Sequence, residues 1–420
     1  MDAKQLAQQC NDDGVFAMAA RCWTGSLSLD VDDGLTLVIE DGRVTPVADP
    51  EPDPDRAGAV VLRAPTEVWD ALLAAVPPPQ CSDLASARYR GLRIEGNEET
   101  FWQHYGAIVR VVELLRRDAH GRSPSEGPRP LGDGPTFDTP IGRYLAVDLD
   151  GHPHRLYVET AGHGIPVLLQ HTAGAHGSQW RHLFEDRWLT ERFQLIAYDL
   201  PFHGKSLPPS SREWWSETYQ LTTERLMAVP LAVADAMALV DPLFIGCSIG
   251  GLLALDLARH HPDRFRAVIG VEPALKVEGK LAAMQNLWHP RVDSGYKATL
   301  MEGLVAPQSP EAFKKETAFV YAQGWPPAFL GDIYFYVEDH DLRAEAAEID
   351  TSQVEVHLLS GAYDWSATPD AGREAHEAIA GSTWQLMEDV GHFPMSENPS
   401  RFLEYLRPVL EGVLERADAR

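Results

Sequence analysis

Residues Gly246-Cys247-Ser248-Ile249-Gly250 follow an apolar run, Pro242-Leu243-Phe244-Ile245, and lead into 251–259, which has the composition and spacing of a buried helix. The context is strand, sharp turn, helix, with a serine at the apex. A side chain at such an apex takes a strained backbone conformation and tolerates only small neighbours, which accounts for a glycine two positions to either side. A hydroxyl held out in this way is a candidate nucleophile, provided a base takes its proton and a carboxylate orients that base. Both residue types lie downstream, in order. Asp364 falls in Ser360-Gly361-Ala362-Tyr363-Asp364-Trp365, the break after the alternating segment 353–359, and His392 falls in Gly391-His392-Phe393-Pro394, beyond a strand candidate at 383–387. The bland alternative is a glycine-rich strand-to-helix turn without chemistry.

The chain order Ser248, Asp364, His392 resembles that of the α/β-hydrolase family, and two upstream segments extend the likeness. Residues 166–174, Pro-Val-Leu-Leu-Gln-His-Thr-Ala-Gly, are similar to that family's third strand and oxyanion loop. Residues 196–206, Ile-Ala-Tyr-Asp-Leu-Pro-Phe-His-Gly-Lys-Ser, are similar to its D-x-P-G-H-G-x-S turn. The resemblance runs from about Gly142 to the C-terminus. It implies a catalytic triad of Ser248, Asp364 and His392, with an oxyanion held by the backbone N–H groups of Ile249 and Ala173. Two departures stand out: Thr172 and Phe202 occupy positions where the family pattern commonly has glycine. Glu272, directly after another strand candidate, is the alternative orienting acid. His171, His176 and His203 precede the serine and fit loop-fixing roles.

These residues need a scaffold. Strands are expected at 143–149 and 155–159 as a hairpin, then at 167–170, 195–198, 242–246, 267–271, 354–359 and 384–387, with helices between the later ones and a final helix at 399–415. The fold class is therefore α/β, with a mostly parallel eight-stranded sheet and functional loops at the carboxyl ends of its strands. The stretch at about 276–350 is where the family places a cap. It is rich in aromatic residues, and Trp325, Phe329 and Tyr334 are the ones expected to face a substrate, against the alternative that the cap packs on itself.

Residues 118–139 have linker composition. Before them, 1–117 read as a small α+β domain: a helical start, strands at 23–29 and 35–44 with a hairpin break at Asp41-Gly42, a capped helix at 65–73 and a longer amphipathic helix at 101–115. Leu37-x-Ile39-Glu40-Asp41-Gly42, Ala64-Pro65-x-x-x-Trp69 and Gly91-Leu92-Arg93-Ile94-Glu95-Gly96 together resemble sterol-carrier-like lipid-binding domains, which would imply capture of a hydrophobic substrate. The competing reading is a docking or homodimerisation unit whose Trp69, Phe101, Trp102 and Tyr105 fill its own core.

The 420 residues are 44% hydrophobic and 23% charged, ordinary for globular proteins, and carry a net charge of −26. That charge repels nucleic-acid backbones and anionic lipid headgroups, so neither is expected as a partner. Cys10, Cys22, Cys81 and Cys247 show no C-x-x-C pairing and read as reduced thiols. No metal-ligand spacing and no G-x-G-x-x-G after a strand occurs, so no metal or other cofactor is expected. Neither a signal peptide nor a membrane span is read, and the default is a cytoplasmic protein. The resemblance implies a serine hydrolase acting on a hydrophobic ester, lactone or thioester. The alternatives are a carbon–carbon bond hydrolase of vinylogous diketones and a non-catalytic lipid-binding protein.

Overall fold

The computed structural model describes residues 3–31, 34–46, 52–121 and 139–418. They form two compact units, and the chain crosses between them more than once. Described residues up to Gly121, together with His289–Gln308, make one unit; those from Thr139 onward, without that excursion, make the other.

The N-terminal unit is built on a five-stranded sheet of order β3-β2-β1-β4-β5, comprising β1 (Gly25–Leu29), β2 (Leu35–Glu40), β3 (Arg43–Pro46), β4 (Ala59–Arg63) and β5 (Arg93–Gly96). Asp41 and Gly42 join β2 to β3 with φ of 46° and 76°. Two left-handed central residues are what a two-residue hairpin of this twist requires, and Asp-Gly supplies them cheaply. The expected helix at 101–115 is two helices, Glu98–Gln103 and Tyr105–His120, broken at His104. The His104 ring stacks on Trp23 at 4.8 Å and an interplanar angle of 4°, a tertiary contact that periodicity along one helix does not register. The helix Thr66–Leu72 starts where expected, but Pro65 gives it no side-chain cap. Trp69, Phe101, Trp102 and Tyr105 are all buried in this unit's core.

Residues 289–308 lie within the 276–350 stretch expected to form a cap, yet they complete this N-terminal core. Val292, Tyr296 and Leu300, spaced four apart, pack into it, and the Tyr296 ring meets Trp102 at 5.2 Å and Tyr105 at 5.7 Å. A stripe at that spacing marks one helix face without saying what it packs against. Of the expected linker, 118–120 are the end of the helix Tyr105–His120, and 122–138 lie outside the described residues.

The second unit holds an eight-stranded sheet of order β13-β12-β11-β10-β8-β9-β7-β6. Its strands are β6 (Ile141–Leu149), β7 (His152–Gly162), β8 (Ile165–Gln170), β9 (Phe193–Tyr198), β10 (Leu243–Cys247), β11 (Ala267–Val271), β12 (Glu355–Gly361) and β13 (Thr383–Met387). The first two form an antiparallel hairpin, β7 runs antiparallel to β9, and all remaining neighbours are parallel. β10 and β11 are buried at every residue, as strands covered on both faces must be, which is why they read as unbroken apolar runs. The chain passes from β8 to β9 on one side and then crosses back from β9 to β10 on the other side of β8. A crevice opens at such a switch point beyond the carboxyl ends, where the loops after β8 and β10 lie.

Helix Ile249–His260 packs on this sheet through glycine. A Cβ on Gly251 would lie 2.2 Å from the Val271 carbonyl oxygen, so the helix approaches the end of β11 backbone to backbone. Gly251→Ala is expected to destabilise this unit by about 3 kcal/mol, the upper range for overpacking, because the clashing atom is backbone and cannot swing away. A lowered midpoint in thermal or urea unfolding checks it.

Candidate active site

Ser248 sits between β10 and the helix Ile249–His260 with φ 59° and ψ −115°, a conformation costing about 1–3 kcal/mol for a residue with a Cβ. Its N–H donates to the Val271 carbonyl at 3.0 Å. The flanking glycines permit the turn: a Cβ on Gly246 would fall 2.3 Å from the Gly250 carbonyl oxygen, and one on Gly250 would meet Gln170 at 2.8 Å.

Asp364 and His392 are brought together although 28 residues separate them. Asp364 follows β12, and its Oδ1 accepts the N–H groups of Ser366 at 2.7 Å and Ala367 at 3.2 Å, fixing the carboxylate plane. Its Oδ2 lies 2.5 Å from His392 Nδ1. With Nδ1 turned to a carboxylate, Nε2 is the ring nitrogen left to accept a proton. The histidine loop is tied to the serine turn by the residue before Ser248: the Cys247 thiol donates to the His392 carbonyl at 3.1 Å. Burial, then the nearby Glu272, Asp364 and Glu397, push the Cys247 pKa well above its ordinary value, so the group remains an S–H donor. The His392 ring stands edge-on to Phe393, with centroids 4.8 Å apart.

Glu272, the rival acid, lies beside Asp364 rather than in its place. It is fully buried at φ 53°, it accepts the Gly361 N–H at 2.9 Å, and it is hydrogen-bonded to Asp364. Burial, then the Asp364 charge, raise its pKa well above the usual carboxylate range. Two adjacent buried carboxyls cannot both ionise cheaply, and burial beside the Asp364 charge favours the protonated form of Glu272. Glu397, also buried, accepts the Gly391 N–H and braces the histidine loop from behind.

The loop after β8 holds Ala173 between two engaged amides: Thr172 N–H donates to Gln179 Oε1 at 3.1 Å and Gly174 N–H donates to Asp332 Oδ2 at 2.8 Å. Among the described residues, the N–H groups of Ala173 and Ile249 make no hydrogen bond; Ile249 opens its helix, where first-turn amides have no intrahelical acceptor. Thr172, in place of the family's glycine, does not loosen the loop. Its hydroxyl bonds to Gln179 Oε1 and to the Tyr321 hydroxyl, pinning the turn from both sides. Phe202, the other departure, adopts φ 69° as a glycine would, and its ring packs against Trp214, Tyr219 and Trp325.

The three expected pocket residues divide. Trp325, 37% exposed, lines a cleft of about 300 Å³ with Trp214, Trp215, Tyr219 and Trp288. Phe329 is buried against Gly174, whose φ of 65° and missing side chain let the ring in, and Tyr334 is half-buried. Tyr336, one of the cap aromatics that could line a pocket over the serine but not among the three singled out, reaches the site. A π-helical turn at Phe335–Asp339 carries it, and its hydroxyl lies 3.0 Å from Ser366 Oγ and faces Ser248. Such turns recur at functional sites because the extra residue re-aims a side chain, and no compositional signal announces one. His171 and His203 fix loops, as expected.

The alpha/beta hydrolase fold family model matches residues 165–300. Pimeloyl-[acyl-carrier protein] methyl ester esterase of Chromobacterium violaceum is 27% identical over 275 residues, covering 61% of this chain and 98% of that protein. 3-oxoadipate enol-lactonase 2 of Acinetobacter baylyi is 24% identical over 253 residues, covering 58% and 88%. Among solved structures, the enol-lactonase from Burkholderia xenovorans superposes with a TM-score of 0.55 at 23% identity, over 64% of this chain and all of that one. An esterase from Thermogutta terrifontis gives a TM-score of 0.56 at 19% identity, over 65% and 99%. These structural likenesses establish the fold.

The two acids are separable by experiment. Asp364→Asn is expected to slow modification of Ser248 by a fluorophosphonate by about 10³–10⁴-fold, because an amide favours the wrong imidazole tautomer. Glu272→Gln, nearly isosteric with the protonated acid, is expected to stay within about tenfold of wild type. The reverse ranking in labelling rates would make Glu272 the orienting acid.

Proposed function

Given that the chain is a member of the α/β-hydrolase superfamily, we propose that it is a serine hydrolase that cleaves a hydrophobic carboxylic ester or lactone through an acyl-enzyme. The observation that carries this reading is the 2.5 Å pairing of Asp364 with His392 on a loop that the Cys247 thiol ties to the Ser248 turn. In the proposed reaction His392 Nε2 takes the Ser248 proton as Oγ attacks the substrate carbonyl carbon, giving a tetrahedral oxyanion. The N–H groups of Ala173 and Ile249 receive that oxygen, each worth about 3 kcal/mol in comparable sites. The imidazolium, held by Asp364, then protonates the departing alkoxide and leaves an ester on Ser248. Water, deprotonated by the same nitrogen, attacks that ester and releases the acid and the free serine. Tyr336, its hydroxyl facing Ser248, orients Oγ before attack.

The substrate class is inferred from an aromatic cleft that does not itself contain the triad and adjoins the oxyanion loop through Tyr219, which bonds the same Asp332 carboxylate as Gly174. The cleft beside Trp325 is faced by four tryptophans and a tyrosine, with Glu217 as its charged lining residue and no basic one. Indole faces favour apolar and aryl groups over a free carboxylate or phosphate. The relatives named as a methyl ester esterase and an enol-lactonase support ester and lactone carbonyls as the reacting group. All four cysteines are free thiols, which supports residence in a reducing compartment such as the cytoplasm. No helix among the described residues is long and apolar enough to cross a membrane.

Ser248→Ala is expected to abolish both fluorophosphonate labelling and turnover of a panel of aryl esters and lactones. Undiminished turnover would defeat the reading. Trp325→Ala is expected to raise KM for aryl esters about tenfold, with kcat changed less, as loss of binding shared by ground and transition states requires. Steady-state kinetics on aryl and short aliphatic esters in parallel make the comparison.

A further inference from the structure

Asp332 belongs to the cap helix Pro326–Tyr334, is fully buried, and has no part in the chemistry above. Three donors converge on it from three segments. Gly174 N–H, in the loop after β8, donates to Oδ2 at 2.8 Å; His203 Nε2, in the turn after β9, donates to the same oxygen at 2.8 Å; the Tyr219 hydroxyl donates to Oδ1 at 3.1 Å. The other ring nitrogen of His203, Nδ1, lies 2.8 Å from the Pro201 carbonyl, which can only accept. Nδ1 therefore bears a proton. Asp332 accepts the Gly174 N–H on Oδ2 and the Tyr219 hydroxyl on Oδ1, a donor set suited to a carboxylate, which favours the ring as owner of the proton between Oδ2 and Nε2. Both nitrogens are donors, and the buried ring is an imidazolium.

The neighbouring histidine shows the opposite state. His171 Nε2 accepts the Leu200 N–H at 3.0 Å while Nδ1 donates to the Thr172 carbonyl at 2.8 Å, so that ring is neutral. The two rings are 5.1 Å apart, close enough that a charge on His203 disfavours one on His171.

Resting on the hydrolase reading, we propose that Asp332 is a positioning residue for the oxyanion loop, clamping the amide next to Ala173 to the cap helix as the anion of a buried ion pair with a doubly protonated His203. Phe329, one turn before Asp332 on the same helix, presses on Gly174 and supplies the apolar half of the clamp. An amide held on one side by a carboxylate and on the other by Gln179 leaves Ala173 N–H no freedom to turn from the developing oxyanion. Cap position and oxyanion geometry thus become one variable.

The clamp carries a pH dependence of definite sign. The groups facing His203 are Asp332 from the cap, Tyr219 with its ring 6.2 Å away, His171 at the end of β8, and Asp199 in its own turn. Burial alone would lower the His203 pKa, but the Asp332 charge and hydrogen bond, helped by Pro201 and Asp199, outweigh it and hold it above its ordinary value. A raised pKa means that the clamp is complete at and below the ordinary histidine range and is lost as pH rises through the folded value.

The test combines one spectroscopic and one kinetic readout on the full chain. ¹⁵N shifts of the His203 ring at pH 7 are expected to report two protonated nitrogens in wild type and equally in Ser248→Ala; a neutral ring overturns the proposal whether or not the protein hydrolyses esters. Asp332→Asn is expected to lower kcat on an aryl ester roughly 10- to 100-fold with KM within about threefold, below the 10²–10³ of deleting a donor outright. Affinity for an aryl boronic acid, which mimics the tetrahedral oxyanion, is expected to fall in proportion to kcat. An alkaline decline of kcat is expected in wild type and is expected to be absent in His203→Gln. An Asp332→Asn enzyme with wild-type kcat and boronate affinity overturns the clamp, as does an alkaline limb unchanged in His203→Gln. Absence of any turnover in wild type would instead count against the hydrolase reading and leave the ring measurement to decide the ion pair.

Discussion

A carboxylate and an imidazole facing each other out of water are costly unless every lone pair is used, and the second unit is organised around meeting that cost for Asp364 and His392. Two backbone amides fix one oxygen of Asp364, the imidazole meets the other, Glu272 lies beside the pair, and Glu397 braces the loop that carries the ring. Such a cluster of acids is less costly when one member holds a proton, and burial favours Glu272 for that part. Glu272 then supports the residue that holds the histidine and does not compete with it. A strained serine turn on one side and a strained Glu272 on the other, both at positive φ, frame the same few ångströms of interior. Strain of this kind survives where surrounding structure over-determines it, and the glycine-mediated contact of the elbow helix with β11 is that structure here.

The segments carrying Ser248, Asp364 and His392 are legible in the sequence because their elements are locally encoded. β10 and β11 are buried on both faces and read as apolar runs; Ser248 requires small neighbours and has them; Asp364 and His392 each follow a strand with a clear break. All eight strands of the large sheet lie where alternation and turn residues put them. What escaped has tertiary causes. The break at His104 depends on stacking with Trp23, and Tyr336 depends on a π-turn. Asp332 lies in an aromatic segment with no motif, and its importance lies wholly in donors from residues 174, 203 and 219. Glu272 was visible as an acid but not as a protonated one, since its state is set by an Asp 92 positions downstream in sequence and adjacent in space.

The two departures from the family pattern are instructive for the same reason. Glycine at position 172 or 202 would satisfy the backbone and contribute nothing else. Thr172 adds hydroxyl contacts to Gln179 and Tyr321, and Phe202 accepts an unfavourable φ in exchange for packing among Trp214, Tyr219 and Trp325. Both substitutions transfer rigidity from the turn itself to its contacts with aromatic residues, so part of the aromatic content of the region is structural.

The excursion of residues 289–308 into the N-terminal core has a bearing on how the protein comes into being. A domain at the start of a chain ordinarily closes as soon as it leaves the ribosome. Here Val292, Tyr296 and Leu300 belong to the first core yet are translated after β6 through β11 of the second sheet. Part of this unit's apolar interior therefore stays uncovered while residues 122–291 are made. Its maturation becomes a late event, linked through the chain to a stretch whose neighbours on either side belong to the unit bearing Ser248.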